Sequence, residues 1–201
     1  MHVELRTVGL LWGWERWCAI TLLAFHGATR TGEPLQARRS DLVLPEDSGI
    51  GRDICFLRIN APKPGRRGRG RVQHARIADQ FAVKLAQRVF GPLQPNDLLY
   101  PASASSYRRR WNRLLEELQI GSELRLTPGC VRGGGAVFLY HNEVAVMDIL
   151  WRMRLRHLGT LEHYLQEVGA MNFVQQLSKE TKLKVTAASS MLPFIAKSFL
   201  S

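Results

Sequence analysis

The ten residues Thr127-Pro-Gly-Cys-Val-Arg-Gly-Gly-Gly-Ala136 are the most informative stretch of the chain. Thr127 followed by Pro128 is typical of a helix start, and the apolar pattern beyond predicts a helix through about Leu139. Three consecutive glycines lie inside that helix, where each costs about 1 kcal/mol relative to alanine. Such a run indicates that another backbone, or a phosphate, comes close to this face. Arg132 is therefore a candidate phosphate ligand; the alternative is an ordinary surface arginine.

Outside this stretch the hydrophobic pattern is mostly helical. Apolar residues recur at intervals of three and four over residues 8–29, which predicts a buried helix. Further helices are expected at Thr31–Arg39, at 79–90 with Asp79 as N-cap, and at 103–119, 143–151 and 160–168. Segments with alternating or β-branched residues predict strands at Asp41–Leu44, Ile54–Ile59 and Arg71–Ile77. The expected fold class is α+β, mostly α with a small antiparallel β-sheet.

The composition predicts a globular protein with an anionic partner. The chain has 201 residues, 45% of them hydrophobic, which is enough to bury a core and too apolar for a disordered basic tail. Its 28 Lys and Arg against 17 Asp and Glu give a formal net charge of +11, so a polyanion is the expected partner. The most apolar early stretch, 8–28, is interrupted by Glu15 and Arg16 and is too short to span a bilayer.

The cysteines favour a reducing compartment. They are odd in number, far apart in sequence and show no metal-ligand spacing: Cys18, Cys55 and Cys130. A secreted disulfide framework would carry an even, closely spaced set. We therefore expect an intracellular protein, nuclear if its source is eukaryotic.

Basic residues occur in three clusters. The first basic cluster is Lys63, Arg66, Arg67, Arg69, Arg71 and Arg76; the second is Arg108, Arg109, Arg110 and Arg113; the third is Arg152, Arg154, Arg156 and His157. One such cluster alone is usually a solvated face. Three in a chain of this size favour a phosphate-binding surface.

Four separated segments carry groups suited to phosphate chemistry. They are His26-Gly-Ala-Thr-Arg-Thr-Gly-Glu33, the lysine at position 63, Thr127–Ala136, and Arg154-Leu-Arg-His-Leu-Gly-Thr-Leu-Glu-His-Tyr164. In this order and at this spacing they resemble the catalytic domain of the tyrosine recombinases, also called phage-type integrases, over roughly residues 8–168. The sequence Leu-Glu-His-Tyr-Leu-Gln-Glu at 161–167 is similar to integrase-like sequences of eukaryotic mobile elements.

The resemblance implies an enzyme that breaks and rejoins DNA through a covalent 3′-phosphotyrosine, in site-specific recombination or integration of a mobile element, with no cofactor and no metal. It implies Arg30 and Arg132 as the catalytic arginines and Tyr164 as the nucleophile. Lys63 would protonate the leaving 5′ oxygen, and Glu33 would give structural support. Double-stranded DNA is the implied partner, and the expected DNA-binding residues are Arg66, Arg67, Arg69, Arg71, Arg108, Arg109, Arg110, Arg154, Arg156 and His157.

These residue types suit the reaction. Two guanidinium groups can hold the nonbridging oxygens of a phosphodiester as negative charge develops on them. A lysine beside other cations gives up its proton more readily, which suits it to protonate the leaving oxygen. A covalent link between enzyme and DNA conserves the bond energy for religation.

The sequence also departs from the family pattern. Gly129 stands where a histidine is usual, three residues before Arg132, and Gly133 follows Arg132 where histidine is common. Leu155 occupies a position usually held by histidine or tryptophan, with His157 displaced from it by two residues. The accessory imidazole or indole donors are therefore missing, which leaves a catalytically inactive DNA-binding module of the same fold as the alternative.

Each catalytic candidate taken singly has a structural alternative. Arg30 can pair with Glu33 across one helical turn, Lys63 can be a solvated loop residue, and Tyr164 can be a half-buried core residue. Only the joint pattern favours the recombinase interpretation. A basic helical RNA-binding protein is the second alternative, and it assigns no special role to Tyr164.

The expected organisation is an integrase-like catalytic domain over residues 1–170 and a C-terminal helical tail over 171–201. The N-terminal DNA-clamp domain of the family is not represented in this sequence. The resemblance also allows a homo-oligomer on DNA. No membrane partner is expected.

Overall fold

Most of the chain is described by the computed structural model, which covers residues 2–49, 53–60, 72–165 and 176–200. This part is mostly helical with a small three-stranded antiparallel sheet, which confirms the α+β fold class. Most of the first basic cluster lies outside the described residues, namely Lys63, Arg66, Arg67, Arg69 and Arg71.

The described elements follow one another in a simple order. The helices are α1 (His2–Leu11), α2 (Glu15–His26), α3 (Gly32–Gln36), α4 (Pro45–Ser48), α5 (Gln80–Phe90), α6 (Ala104–Glu117), α7 (Cys130–His141), α8 (Val146–Arg152), α9 (Leu158–Glu162) and α10 (Lys179–Leu200). The strands are β1 (Leu42–Val43), β2 (Cys55–Ile59) and β3 (Gln73–Ile77).

Helix α2 is the centre of the core. All its side chains from Trp17 to His26 are buried, as expected for a helix that is apolar on every face. The prediction of one helix over 8–29 is wrong in one respect, because the chain breaks between α1 and α2. Gly13, with a φ of +70°, turns the backbone there, a conformation that glycine adopts without strain.

The three strands form one antiparallel sheet in the order β1-β2-β3. In the register of β2 with β3, Leu57 lies opposite Ala75 and Arg58 opposite His74. Buried and exposed residues alternate along both strands, so one face of the sheet packs on the core and the other faces outward. The predicted strands are confirmed, with shorter ends.

Side-chain caps begin two of the helices. The Asp79 carboxylate accepts a hydrogen bond from the Ala82 amide at 2.8 Å and starts α5, as predicted. Ser103 caps α6 in the same way, accepting from the Ser106 amide at 3.1 Å. Helix α7 begins at Cys130, two residues later than predicted, with Gly129 instead of Thr127 at the N-cap position.

The glycine run of α7 lets this helix lie directly against α2. A Cβ at Gly135 would lie 2.1 Å from the carbonyl oxygen of Phe25, and one at Gly134 would lie 3.3 Å from the Phe25 ring. The predicted close approach of another backbone is confirmed at Gly135. The Thr31 hydroxyl donates to the Pro128 carbonyl at 2.7 Å and joins the start of α3 to the segment before α7.

The C-terminal segment contains one long described helix, α10, which packs against α1. Ala188 and Ile195 are buried in the main core, and the Ser189 hydroxyl donates to the buried Glu4 carboxylate at 2.6 Å. Among the described helices, α10 included, none combines the length and the apolarity that crossing a bilayer requires.

Candidate active site

The turn between α2 and α3 positions Arg30. The backbone of the buried Ala28 has a φ of +47°, which turns the chain sharply after α2. The Arg30 side chain is 46% exposed, and its amide donates to Oε2 of Glu33 at 2.8 Å. Its Nη1 lies 3.4 Å from Oε1 of the same carboxylate. The pair that the sequence left open as the simpler role of Arg30 is therefore present, and it leaves part of the guanidinium accessible.

Arg132 lies in the first turn of α7 and is only 4% exposed. Its Nη2 donates to the carbonyl oxygen of Met153, which attaches α7 to the end of α8. Burial lowers the pKa of Arg132, and the positive charges of Arg30 and Arg154 lower it further. The phenol of Tyr164 and the carboxylate of Glu33 act in the opposite direction. These groups are therefore close enough to Arg132 to act on its charge.

Tyr164 lies just after α9, with its ring against α7. A Cβ at Gly133 would lie 3.1 Å from Cδ1 of Tyr164, so the ring covers this glycine. The tyrosine is half-buried and packs at the edge of a small apolar cluster that contains Met153 and Leu161. The Tyr164 ring is therefore partly buried and lies against the residue that follows Arg132 in α7.

The Arg154 side chain turns inward. The sequence placed it among the DNA-binding residues of the third basic cluster, yet its side chain is only 10% exposed. Its Nη2 donates to Oε2 of Glu33 at 2.6 Å. Glu33 itself is 8% exposed and receives both this arginine and the Arg30 amide. Its expected supporting role therefore has a concrete form, an ion pair that joins α3 to the segment after α8.

Several buried donors of this cluster have no hydrogen-bond partner among the described residues. They are Nε of Arg132 and both Nε and Nη1 of Arg154. Buried polar groups are almost always paired, so unpartnered donors on two neighbouring cations mark a place where an anion is favoured. The sequence showed only a basic run at 152–157 and gave no sign that Arg154 turns inward.

The accessory donor positions remain without imidazole or indole. Gly129 precedes α7, and a Cβ there would meet only the Thr127 hydroxyl oxygen, at 3.3 Å. Leu155 packs against the small apolar cluster beside Met153. His157 is exposed at the start of α9. None of these three residues therefore supplies the donor that is usual in the family.

The second basic cluster is divided by its packing. Arg108 and Arg109 are exposed on α6 and available to phosphates. Arg110 instead places its guanidinium 5.2 Å from the Trp14 ring centroid and donates to the Tyr100 hydroxyl at 3.3 Å. Arg113 lies over Trp12 in the same way, at 5.2 Å. Part of this cluster thus packs on the corner between α1 and α2.

The third basic cluster also contains Arg152 and Arg156. Arg156 is exposed beside His157. Burial lowers the pKa of Arg152 on α8, and the positive charge of Arg76 on β3 lowers it further. Within the described ranges, no group of three or more His, Cys, Asp or Glu side chains could hold a metal ion.

Comparison with known proteins adds no relative to this description. No protein-family model matches the chain, and no curated protein matches its sequence.

Proposed function

We propose that the chain is a tyrosine recombinase catalytic domain that breaks and rejoins duplex DNA through a covalent 3′-phosphotyrosine. The observation that carries the proposal is the surroundings of Arg132. Arg132 is buried, the positive charge of Arg30 helps to lower its pKa, and the Tyr164 ring covers the next residue, Gly133. These residues are far apart in sequence, and their proximity is what this chemistry requires. The integrase-like form of the α+β fold is part of the same proposal.

The proposed reaction is an in-line displacement at phosphorus. The Tyr164 hydroxyl oxygen forms a bond to phosphorus as its proton passes to solvent water, and the bond from phosphorus to the 5′ oxygen breaks. The electron pair of that bond goes to the 5′ oxygen, which is protonated; the family resemblance assigns this proton to Lys63. Arg30 and Arg132 bind the nonbridging oxygens, where negative charge increases in the transition state. Religation reverses these steps, and no metal or cofactor takes part.

We expect slow chemistry. Gly129 and Leu155 offer no donor to the transition-state oxygens. Loss of one such donor costs about 2.7–4 kcal/mol in systems where it has been removed. That cost corresponds to roughly 100- to 1000-fold in rate.

A second candidate is a DNA-binding module of the same fold that no longer cuts. The same two positions favour it, because they remove donors without affecting the exposed arginines Arg108, Arg109 and Arg156. Both candidates predict binding to duplex DNA, and they differ only in the covalent step. A preference for RNA over duplex DNA would support the second alternative from the sequence.

The deciding experiment uses nicked suicide duplexes in the presence of a chelator, so that a covalent adduct accumulates and no metal-dependent nuclease contributes. Denaturing gels detect the protein–DNA adduct after long incubation. Tyr164→Phe is expected to abolish the adduct and leave duplex binding intact. Tyr140→Phe is the matched control, because Tyr140 is 40% exposed near the end of α7, and it is expected to form the adduct as wild type does.

Two results would contradict the proposal. If wild type binds several duplexes without forming any adduct, the non-cutting module is the better description. If an adduct persists in Tyr164→Phe, Tyr164 is not the nucleophile.

A further inference from the structure

The site concentrates positive charge in a buried place. Arg30 and Arg154 both pair with the Glu33 carboxylate, and Arg132 donates to the carbonyl oxygen of Met153, the residue before Arg154. Arg132 and Arg154 are nine-tenths or more buried. Buried cations are normally paired or neutralised, because removing them from water is unfavourable. One carboxylate offsets one of these charges, so the cluster favours a bound anion.

Arg154 has the larger number of unused donors. Its Nη2 is occupied by Glu33, whereas its Nε and Nη1 have no partner among the described residues. Nη2 of Arg132 donates to the Met153 carbonyl, and Nε of Arg132 is a buried donor without a partner among the described residues. Because Met153 is the neighbour of Arg154, the same contact also holds the two arginines together.

The backbone of Arg154 ends helix α8. Its φ is +56°, in the left-handed region. The amide of Arg154 donates to the Trp151 carbonyl at 2.9 Å, and that of Leu155 donates to the Leu150 carbonyl at 3.0 Å. These two bonds form the Schellman motif that commonly ends a helix, and they fix the position of Arg154 directly after α8.

We infer that Arg154 is a third guanidinium ligand of the phosphate at this site. Glu33 orients it by holding Nη2 and leaves its other donors for the phosphate oxygens. Arg30, half-exposed, lies at the outer edge of the site, and Arg132 lies at its base. The identity of the phosphate as a DNA phosphodiester rests on the proposed function. The anion site itself rests on the charge and the donors described above.

The test measures inorganic phosphate binding to the full chain by phosphorus NMR, with thermal unfolding as a second readout. Wild type is expected to bind phosphate and to be stabilised by it. Arg154→Met is expected to raise the phosphate Kd about tenfold or more, since a hydrogen bond to a charged group is worth that factor or more. Arg88→Met is the matched control, because Arg88 is exposed on α5 and its loss changes the net charge equally. It should change Kd less than twofold.

Two results would overturn the inference. The first is that wild type shows no phosphate binding. The second is that Arg154→Met binds phosphate with a Kd within twofold of wild type while keeping its helical circular dichroism. The second result would mean that Arg154 serves only as the partner of Glu33.

A second variant decides the case in which Arg154→Met does not fold. Glu33→Gln removes the competing negative charge and keeps an oxygen acceptor for the arginines. Phosphate affinity equal to or tighter than wild type supports the inference. Weaker phosphate binding by Glu33→Gln overturns the inference, because it would mean that the ion pair of Glu33 with Arg154 serves only to keep the site ordered.

This design separates the inference from the proposed function. Arg154-dependent phosphate binding without any phosphotyrosyl adduct would contradict the recombinase proposal and leave the anion site intact. An adduct that Arg154→Met forms at the wild-type rate would contradict the role of Arg154 alone.

Discussion

Replacing Gly135 by alanine tests the contact that brings α7, and with it Arg132, against α2. The added Cβ would lie 2.1 Å from the Phe25 carbonyl oxygen, and contacts under 3.0 Å are essentially never seen. The two helices must therefore separate locally by about 0.9 Å (3.0 − 2.1). The oxygen belongs to the main chain of α2, so no side-chain rotation relieves the overlap.

The expected size of the effect combines two opposing contributions. Overpacking a close contact costs typically about 1–3 kcal/mol, and a backbone oxygen belongs at the upper end of that range. Alanine regains about 1 kcal/mol of helix propensity over glycine. We expect Gly135→Ala to lower the free energy of unfolding by about 2 kcal/mol. For a chain of this size that corresponds to a fall of about 4–8 °C in Tm.

Urea unfolding followed by circular dichroism measures this change. Gly32→Ala is the control, because a Cβ at Gly32 meets no atom within 4 Å, and its stability should be equal to or slightly above that of wild type. If Gly135→Ala were as stable as wild type, or more stable, α7 would not lie against α2 as described, and the position of Arg132 beside Arg30 would be in error.

Two further predictions concern the cysteines and the first basic cluster. Cys130 is exposed, whereas Cys18 and Cys55 are buried. Burial raises the pKa of both buried thiols, that of Cys55 to about 12. The two buried thiols therefore stay protonated and unreactive at pH 8. A thiol reagent should therefore label one cysteine rapidly in the folded protein and three in denaturant; rapid labelling of three in the folded protein would contradict the packing around α2 and β2. Replacing Arg66, Arg67 and Arg69 by alanine should reduce the slope of log affinity for duplex DNA against log salt by up to about 2.7, which is about 0.9 for each phosphate that is no longer neutralised. The sequence preference should not change. If filter-binding titrations gave an unchanged salt slope, these three arginines would not contact DNA.

Local features of the fold were predictable because their causes lie within a few residues. The apolar period defined the helices, the Asp79 cap marked the start of α5, and alternation marked β2 and β3. The break at Gly13 was missed because an isolated glycine within a helical pattern is often tolerated, and only packing shows that the chain turns there. The later start of α7 has a similar origin, since local signals locate helix ends only to within a few residues.

What the sequence alone determined about the candidate site is the set of residue types and their order. The glycine run predicted a close approach at α7, and the basic segments indicated an anionic partner. Only the tertiary structure decided which charges meet. Arg154 pairs with Glu33 across 121 positions of sequence, and Arg110 turns to Trp14 instead of to solvent. The physical reason is that an arginine side chain can reach water, a carboxylate or an aromatic ring from the same local pattern. Its partner is therefore chosen by where distant elements bring their own side chains, which no short stretch of sequence specifies.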